Sequence, residues 1–428
     1  MLEAKRSFDY TISFYDDVTG LGTLLCVALN SFVVCAMAQY AKKALTSYTT
    51  HNTAELLRGG KKYFQCLKDL IDAAKFSIHL QVYIFDDDIT GKYIGDALMD
   101  AAKRGVNVYV MTDGFASQVM ATAYIEALKE AGIHFRMFEP VFKSNDFYFG
   151  RRMHYKVIVI DARYCLVGGI NIADRYNDLP GDPAWLDFAL LAQGEVALNL
   201  FHICAKMWAR SSAETKRISQ SLVPPPLSEN NGCMIRVRKN DWVQRQSQVS
   251  ASYLEMFRSA QQQIIVMSSY FLPGRTFRKS LSAAVRRGVK VKLVLAGESD
   301  IMIAKHAERY IYRWIFRNKM ELYELSHAVL HAKIATCDNR FVIVGSYNIN
   351  NISAYASVEM NLDVMNNSFA TAATQELEQI IANECKLLTA REFALKFNLF
   401  QKIWQYTCYQ VIRLIIFLFT FYFKQKER

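Results

Sequence analysis

Seven prolines and 19 glycines in 428 residues are too few for a collagenous, linker-like or low-complexity chain. Three of the prolines stand together at 224–226, so few remain to break elements elsewhere. The nine cysteines form no CxxC pair and no CxH cluster. That excludes the usual disulfide frameworks and structural zinc sites, and their odd number fits reduced thiols facing a cytosol. No group of Asp, Glu or His has metal-ligand spacing, so neither a metal nor another cofactor is expected. Acidic residues are also in deficit, 40 against 51 Lys plus Arg, a formal charge of +11. The surplus points to an anionic partner: phospholipid headgroups, nucleic acid or a phosphorylated small molecule. What is abundant is apolar: 52% of the residues, enough for a substantial core in two or three domains or in one large two-part body.

Two segments have the composition to meet a membrane. Residues 18–41 carry no charge and are long enough to span a bilayer, although Gly22, Asn30, Ser31 and Gln39 dilute them. A buried helix is the equal alternative. Four acidic residues ahead of the run exclude a signal peptide. Lys42 and Lys43 at its end would keep the body on the cytoplasmic side of an inner membrane. Trp404 to Phe423 is apolar and aromatic, with Arg413 in its middle and Lys424, Lys426 and Arg428 beyond. This pattern predicts a helix lying in the membrane interface rather than one crossing it. Arg309, Arg313 and Arg317 form a basic stripe beside Trp314 and Phe316, by default a solvated helix face, alternatively a contact for anionic lipid.

The chain repeats itself. YFQCLKDLIDAAKFSIHLQVYIF and IGDALMDAAKRGVNVYVMTDG in the first half answer to YLEMFRSAQQQIIVMSSYFL and FRKSLSAAVRRGVKVKLVLAG in the second. Each pair reads helix, apolar strand, helix, β-branched strand, with strands expected at Ser77–Phe85, Val106–Met111, Ile264–Phe271 and Val289–Leu295. Gly105 and Gly288 stand where the helices should stop. A duplicated α/β architecture follows: an N-terminal segment 1–50, a first domain 51–218, a proline-bearing linker 219–232, a second domain 233–400 and a membrane-associating tail 401–428.

The chemistry lies in a second pair of repeats. HYKVIVIDARYCLVGGIN supplies His154, Lys156, Asp161, Gly168, Gly169 and Asn171; HAKIATCDNRFVIVGSYN supplies His331, Lys333, Asp338, Gly345, Ser346 and Asn348. All six positions keep one offset of 177 residues. On a strand, His and Lys two apart point to the same side. Small residues ending the next strand let a bulky group approach the backbone, and the asparagines offer neutral donors. Two His, two Lys and two Asn converging on one point suit phosphoryl transfer.

The duplicated HxKxxxxD plus GG/GS-x-N pattern resembles the phospholipase D superfamily over residues 52 to 390. The adjoining YIFDDDITGK, AAKRGVNVYVMTDG, LHAK and GSYNIN look most like its bacterial cardiolipin synthase branch. The first 50 residues do not match that branch. The resemblance implies two pseudo-symmetric α/β/α sandwich units sharing one active site. It implies a covalent phosphohistidine, assigned by analogy to His154, with His331 as general acid. Lys156, Lys333, Asn171 and Asn348 would stabilise the five-coordinate phosphorus, and the motifs carry Asp161 and Asp338 as their acidic members. Those two aspartates are expected to hold the turn after the strand rather than to react. The family also carries an acid some 25 to 35 positions after each motif histidine, which orients the imidazole; here these are Asp187 and Glu359, each in an apolar run where an unpaired carboxylate would be costly. Phe142, Phe147, Tyr148, Phe149, Arg151 and Arg152 could line an acyl-chain entrance or form an ordinary packed loop.

The leading expectation is a membrane-associated phosphatidyltransferase making cardiolipin from phosphatidylglycerol and a second lipid alcohol. A phospholipid-hydrolysing phosphodiesterase or a nuclease of the same superfamily is the alternative, and the terminal apolar segment argues for lipid over nucleic acid. A non-catalytic scaffold is disfavoured by the intact double motif.

Overall fold

A computed structural model describes residues 48–140, 151–220, 232–350 and 357–425, with side chains as far as 415. The uncharged run 18–41, the linker prolines, Phe142, Phe147, Tyr148 and Phe149 lie outside the described residues, as does the tail end 426–428. By backbone contacts Met1–Tyr48 and Thr49–Arg428 are separate units, and all that follows concerns the second.

Each half of that unit builds one sheet in the same strand order. The first half supplies β1 (Asn52–Arg58), β2 (Ser77–Val82), β3 (Asn107–Asp113), β4 (His134–Phe138), β5 (Arg152–Met153), β6 (Lys156–Ile160), β7 (Tyr164–Gly168) and β8 (Phe188–Gly194). Seven of these align as β1-β8-β7-β6-β2-β3-β4. The second half supplies β9 (Met234–Asp241), β10 (Gln246–Ser247), β11 (Gln263–Ser268), β12 (Lys290–Ala296), β13 (Glu321–Leu325), β14 (Lys333–Cys337), β15 (Phe341–Gly345), β16 (Ser357–Met365) and β17 (Cys385–Leu387). Their order, β9-β16-β15-β14-β11-β12-β13, repeats the first, with β10 and β17 added at the edges. In both sheets three strands run parallel (β2-β3-β4 and β11-β12-β13), and the rest pair antiparallel.

Helices cover both faces. Outside the first sheet lie α1 (Lys61–Ala73), α2 (Ile89–Lys103) and α3 (Thr122–Glu130). Between the sheets pack α4 (Glu195–Trp208), which leads into the short α5 (Ser212–Gln220), and, from the second half, α9 (Asn367–Glu384). Outside the second sheet lie α6 (Gln248–Ser259), α7 (Arg275–Arg286), α8 (Met302–Arg317) and α10 (Ala390–Lys396). Finally α11 (Leu399–Gln425) packs along α8. The central strands are apolar throughout because both faces are covered. Alternation divides their side chains between cores: Val157 and Val159 of β6 point into the shared central core, Ile158 and Ile160 into the outer one. Gly105 and Gly288 end α2 and α7 at φ +89° and +94°, a backbone that glycine adopts without strain.

The halves are stitched by main chain as well as by the core. β5 of the first half pairs parallel with β16 of the second, and Leu186 bridges Leu330. Both contacts lie beside the motif histidines.

Asp161 and Asp338 sit at the far end of β6 and β14 from those histidines. Asp161 accepts the backbone N–H groups of Lys75, Phe76 and Ser77, and Asp338 those of Gln261, Gln262 and Gln263, all at 2.8–2.9 Å. At φ 52° and 51° each also starts a left-handed two-residue hairpin turn. Both aspartates thus hold the turn, as expected, and although the motif groups them with the catalytic residues they take no part in the histidine cluster: seven residues of extended chain, about 20 Å, separate each from its histidine. Partial burial works against the Asp338 carboxylate, but the amides of Gln263, Gln261 and Gln262 outweigh it and hold the group below its usual 3.8. A depressed carboxyl stabilises the fold above its ordinary range and loses that contribution as pH falls through the folded value. Asp338→Asn should therefore lower the melting midpoint by roughly 2–4 °C at pH 7. The gap to the parent should close below about pH 4; calorimetry across pH 3–7 measures both.

Candidate active site

The segment before β6 and the segment before β14 meet at the junction of the two halves. The backbone N–H of His154 donates to the carbonyl of Val358 in β16, at 3.0 Å; that of His331 donates to the carbonyl of Leu186, at 2.8 Å. Each histidine is thus held by main chain of the opposite half before its side chain makes any contact.

The side chains repeat the crossing. His154 Nδ1 lies 3.0 Å from both oxygens of Glu359, and His331 Nδ1 lies 2.6 Å from Asp187 Oδ2. The sequence spacing selects the right two acids, counted from the histidine of each copy. The structure gives each acid to the histidine of the other copy. The reason is topological: β8 and β16 both begin beside the junction, and Asp187, just before β8, and Glu359, near the start of β16, reach across to the facing half. Both carboxylates are buried, while His154 keeps 19% and His331 11% of its side chain exposed. With Nδ1 on a carboxylate, Nε2 is the atom each ring has available for chemistry.

The lysines lie where the period-two spacing predicts. Lys156 Nζ donates to the His154 carbonyl and lies 5.1 Å over the Tyr83 ring. Lys333 Nζ donates to the His331 carbonyl and lies 3.0 Å from His331 Nδ1. Ser346 donates its hydroxyl to Glu359, and Gly169, the equivalent residue, lies against Asp187: a Cβ there would be 2.4 Å from both carboxylate oxygens. Asn348 Oδ1 accepts from Ser269 at 2.7 Å, leaving its amide N–H groups as donors. Asn171 differs from the expectation of a simple ligand donor. It donates to the Tyr176 hydroxyl at 2.8 Å and accepts from Ile84 N at 3.1 Å, so it holds neighbours in place.

Several contributors escape sequence reasoning. Tyr83 packs edge-on against His154 (centroids 4.9 Å apart), and Tyr176 and Trp185 flank His331 (5.1 and 5.9 Å). The Tyr176 hydroxyl is 3.4 Å from His331 Nε2. Ser357 donates to Glu359 at 2.7 Å. Tyr83 was detectable as the tyrosine ending the first strand of the repeat; the others carry no periodic signal. Arg151 is tied to Glu139 (2.6 Å) and Asp241 (2.9 Å), and Arg152 reaches Asp113 at 3.4 Å. On α8, Arg313 and Arg317 are exposed and Arg309 covers the Phe397 ring. None of these arginines belongs to the histidine cluster.

Burial keeps the His154 imidazole neutral, below its usual 6.5, against the pull of Glu359. Burial alone would raise Glu359, but its pairing with His154, the Ser346 hydroxyl and the charge of Lys156 leave it below the ordinary carboxylate range. Asp187 is pushed up to about 7 by burial, which Lys333 only partly offsets. His331 is held well below 6.5 by burial and by Lys333 and Lys156. Burial brings Lys156 down to about 7, with Lys333 adding to it, and Lys333 down to about 8. An anion bound between these cations would restore their charge. Among the described residues no group of three or more His, Cys, Asp or Glu could hold a metal ion. The arrangement presents one imidazole beside an ionised acid, a second beside an acid able to hold a proton near neutrality, and two cations.

The family described as cardiolipin synthase, PLD-like domain, matches residues 67–185 and 253–381. Cardiolipin synthase B of Salmonella typhimurium is 31% identical over 343 residues, 78% of this chain and 82% of that protein. The protein of the same name from Shigella flexneri is 29% identical over 345 residues, covering 79% and 83%. A cardiolipin synthase of Halalkalibacterium halodurans is 31% identical over 324 residues, covering 74% and 63%. Among solved structures, phosphatidylserine synthase of Haemophilus influenzae superposes with a TM-score of 0.68 over 89% of this chain and 99% of its own, at 14% identity, a likeness of fold.

Proposed function

Because the chain belongs to the family of cardiolipin synthase PLD-like domains and is a phosphatidyltransferase of the phospholipase D superfamily, we propose that it makes cardiolipin at a membrane surface. The donor in this reading is phosphatidylglycerol and the acceptor a second lipid alcohol. The observation that carries it is the crossed pair of dyads, which supplies both halves of a double displacement at one point.

In the first step His154 Nε2 attacks the donor phosphorus. A P–N bond forms, the bond from phosphorus to the glycerol oxygen breaks, and the proton held between Asp187 and His331 goes to that oxygen. Glycerol leaves and a phosphatidyl-histidine remains. In the second step the acceptor hydroxyl gives its proton to the His331–Asp187 pair as its oxygen attacks phosphorus and the P–N bond breaks. Lys156 and Lys333 stabilise the added negative charge of both five-coordinate states. Burial of the site limits the access of water, which would otherwise compete as acceptor.

In this reading the body works on the cytoplasmic side of an inner membrane; contact with a lipid surface is supported by where large apolar side chains remain uncovered. On α11, Phe400, Ile403, Trp404, Val411, Leu414 and Ile415 are exposed along one stripe, while Gln405, Cys408 and Ile412 are buried. The buried face packs on α8: Tyr310 meets Tyr406 and Tyr409, and Ala307 meets Cys408 and Ile412. Ile301, Met302 and Ile303 at the start of α8 are also exposed, and so are Phe115 and Val119 after β3, the strand that corresponds to β12. No described helix is long and apolar enough to cross a membrane; an interfacial stripe fits these facts.

His154→Ala and His331→Ala should each reduce cardiolipin formation on phosphatidylglycerol vesicles by at least a thousandfold, with unchanged circular dichroism. Near-parent turnover in either would contradict the two-histidine reading.

Serine at Phe400, Ile403, Val411 and Leu414 together removes the apolar stripe and leaves the α8 contact intact. The parent should stay in the membrane pellet through a high-salt wash, because apolar burial is not screened by salt. The fourfold variant should move to the supernatant. A variant that pellets as fully as the parent would assign the membrane contact elsewhere.

A further inference from the structure

The two dyads are related by the repeat, yet the acids in them are supported differently. Glu359 accepts the Ser357 hydroxyl on Oε1 at 2.7 Å and the Ser346 hydroxyl on Oε2, in addition to His154 Nδ1. Asp187 accepts His331 Nδ1 at 2.6 Å and the backbone N–H of Phe188 at 2.7 Å, and no hydroxyl among the described residues donates to it. Both positions that give Glu359 a hydroxyl carry none in the other copy. Gly169 stands for Ser346, and Trp185, two residues before Asp187, stands for Ser357, two before Glu359. The backbones superpose in function: Gly169 N–H donates to Phe188 O and Ser346 N–H to Met360 O, each at 3.1 Å. The difference is therefore one of side chain.

We infer that Ser346 is a positioning residue that gives two pseudo-equivalent histidines different jobs. Its hydroxyl, with that of Ser357, keeps Glu359 an ionised acceptor. An ionised Glu359 takes the Nδ1–H of His154 and leaves the Nε2 lone pair free to attack phosphorus. Asp187, with no hydroxyl beside it, keeps hold of the proton that passes through His331 to the leaving oxygen. The inference rests on the phosphohistidine reading above and adds the device that breaks its symmetry. Hydroxyl donors favour the charged form of a carboxylate, so adding them to one acid and not the other drives the two proton affinities apart. Burial raises both acids; at Glu359 the Ser346 hydroxyl joins His154 in opposing it, while at Asp187 no hydroxyl among the described residues does. The asymmetry is built in sterically: a serine at 169 has no space, since its Cβ alone would meet the Asp187 carboxylate.

The test uses full-length parent, Ser346→Ala, Ser346→Gly and Ser357→Ala on phosphatidylglycerol vesicles. The acid limb of kcat/KM is measured, and rapid quench followed by peptide mass spectrometry locates the phosphohistidine. The parent should carry label on His154 alone. In Ser346→Ala and Ser357→Ala the acid limb should move up by about one pH unit, because Glu359 loses a donor to its ionised form, with KM changed less than twofold. In Ser346→Gly, which copies the Gly169 environment, label should divide between His154 and His331. Label on His331 alone in the parent, or an acid limb unmoved in both alanine variants while label stays on His154, overturns the role of Ser346 and leaves the two-step mechanism standing. Absence of phosphohistidine in the parent overturns the mechanism itself, and this inference with it.

Discussion

Two carboxylates buried at the junction of the halves govern the rest of this structure. A carboxylate removed from water costs several kcal/mol unless it is paired and hydrogen-bonded. Here Asp187 finds its imidazole in the second half and Glu359 finds its own in the first. Neither half alone supplies the imidazole that pairs with the acid it carries. The backbone obeys the same rule, with His154 bonded to Val358 and His331 to Leu186. Docking the sheets, aligning the histidines and neutralising the acids are consequently one event. The shared central core between α4, α9 and the inner sheet faces supplies the apolar burial that drives it.

That arrangement also answers a chemical need. A double displacement at phosphorus requires a nucleophile and a proton source at once, and a strictly symmetric pair of dyads would offer two of one or two of the other. Side-chain differences at two positions separate them. The two lysines, both lowered by burial and Lys156 by Lys333 as well, hold their charge poorly without an anion between them, so the site gains its full cationic character as the phosphodiester arrives. Outside the site, uncovered apolar side chains on α11, at the start of α8 and after β3 suit a substrate that remains in a membrane while its headgroup reacts.

Much of this was legible in the residues. A constant 177-residue offset revealed two copies, and runs such as KVIVI and FVIVG announced strands covered on both faces. Gly105 and Gly288 marked the ends of α2 and α7. The two orienting acids were found by spacing, but not their crossed pairing. Distance along the chain measures reach within a copy, and pseudo-symmetry makes the exchanged partner equivalent in sequence. Asp161 and Asp338 belong to the motif by pattern and to the fold by geometry; the turn role was expected from the sequence, but the three backbone amides each one caps were not. Tyr176, Trp185 and Ser357 come from irregular backbone or a strand start, where neither period two nor period 3.6 distinguishes a contact from a bystander.

The central claim is that each histidine works with the acid of the other half. It is tested most directly by burst kinetics on a phosphatidyl ester of p-nitrophenol, whose leaving group needs no proton. Glu359→Gln removes the partner of His154 and should abolish the nitrophenol burst. Asp187→Asn removes the partner of His331, which this leaving group does not require, and should keep a burst near one equivalent while transfer from phosphatidylglycerol is lost. The reverse pattern, with the burst lost in Asp187→Asn and kept in Glu359→Gln while the phosphohistidine forms on His154, would show that each acid serves the histidine of its own copy and would contradict the account.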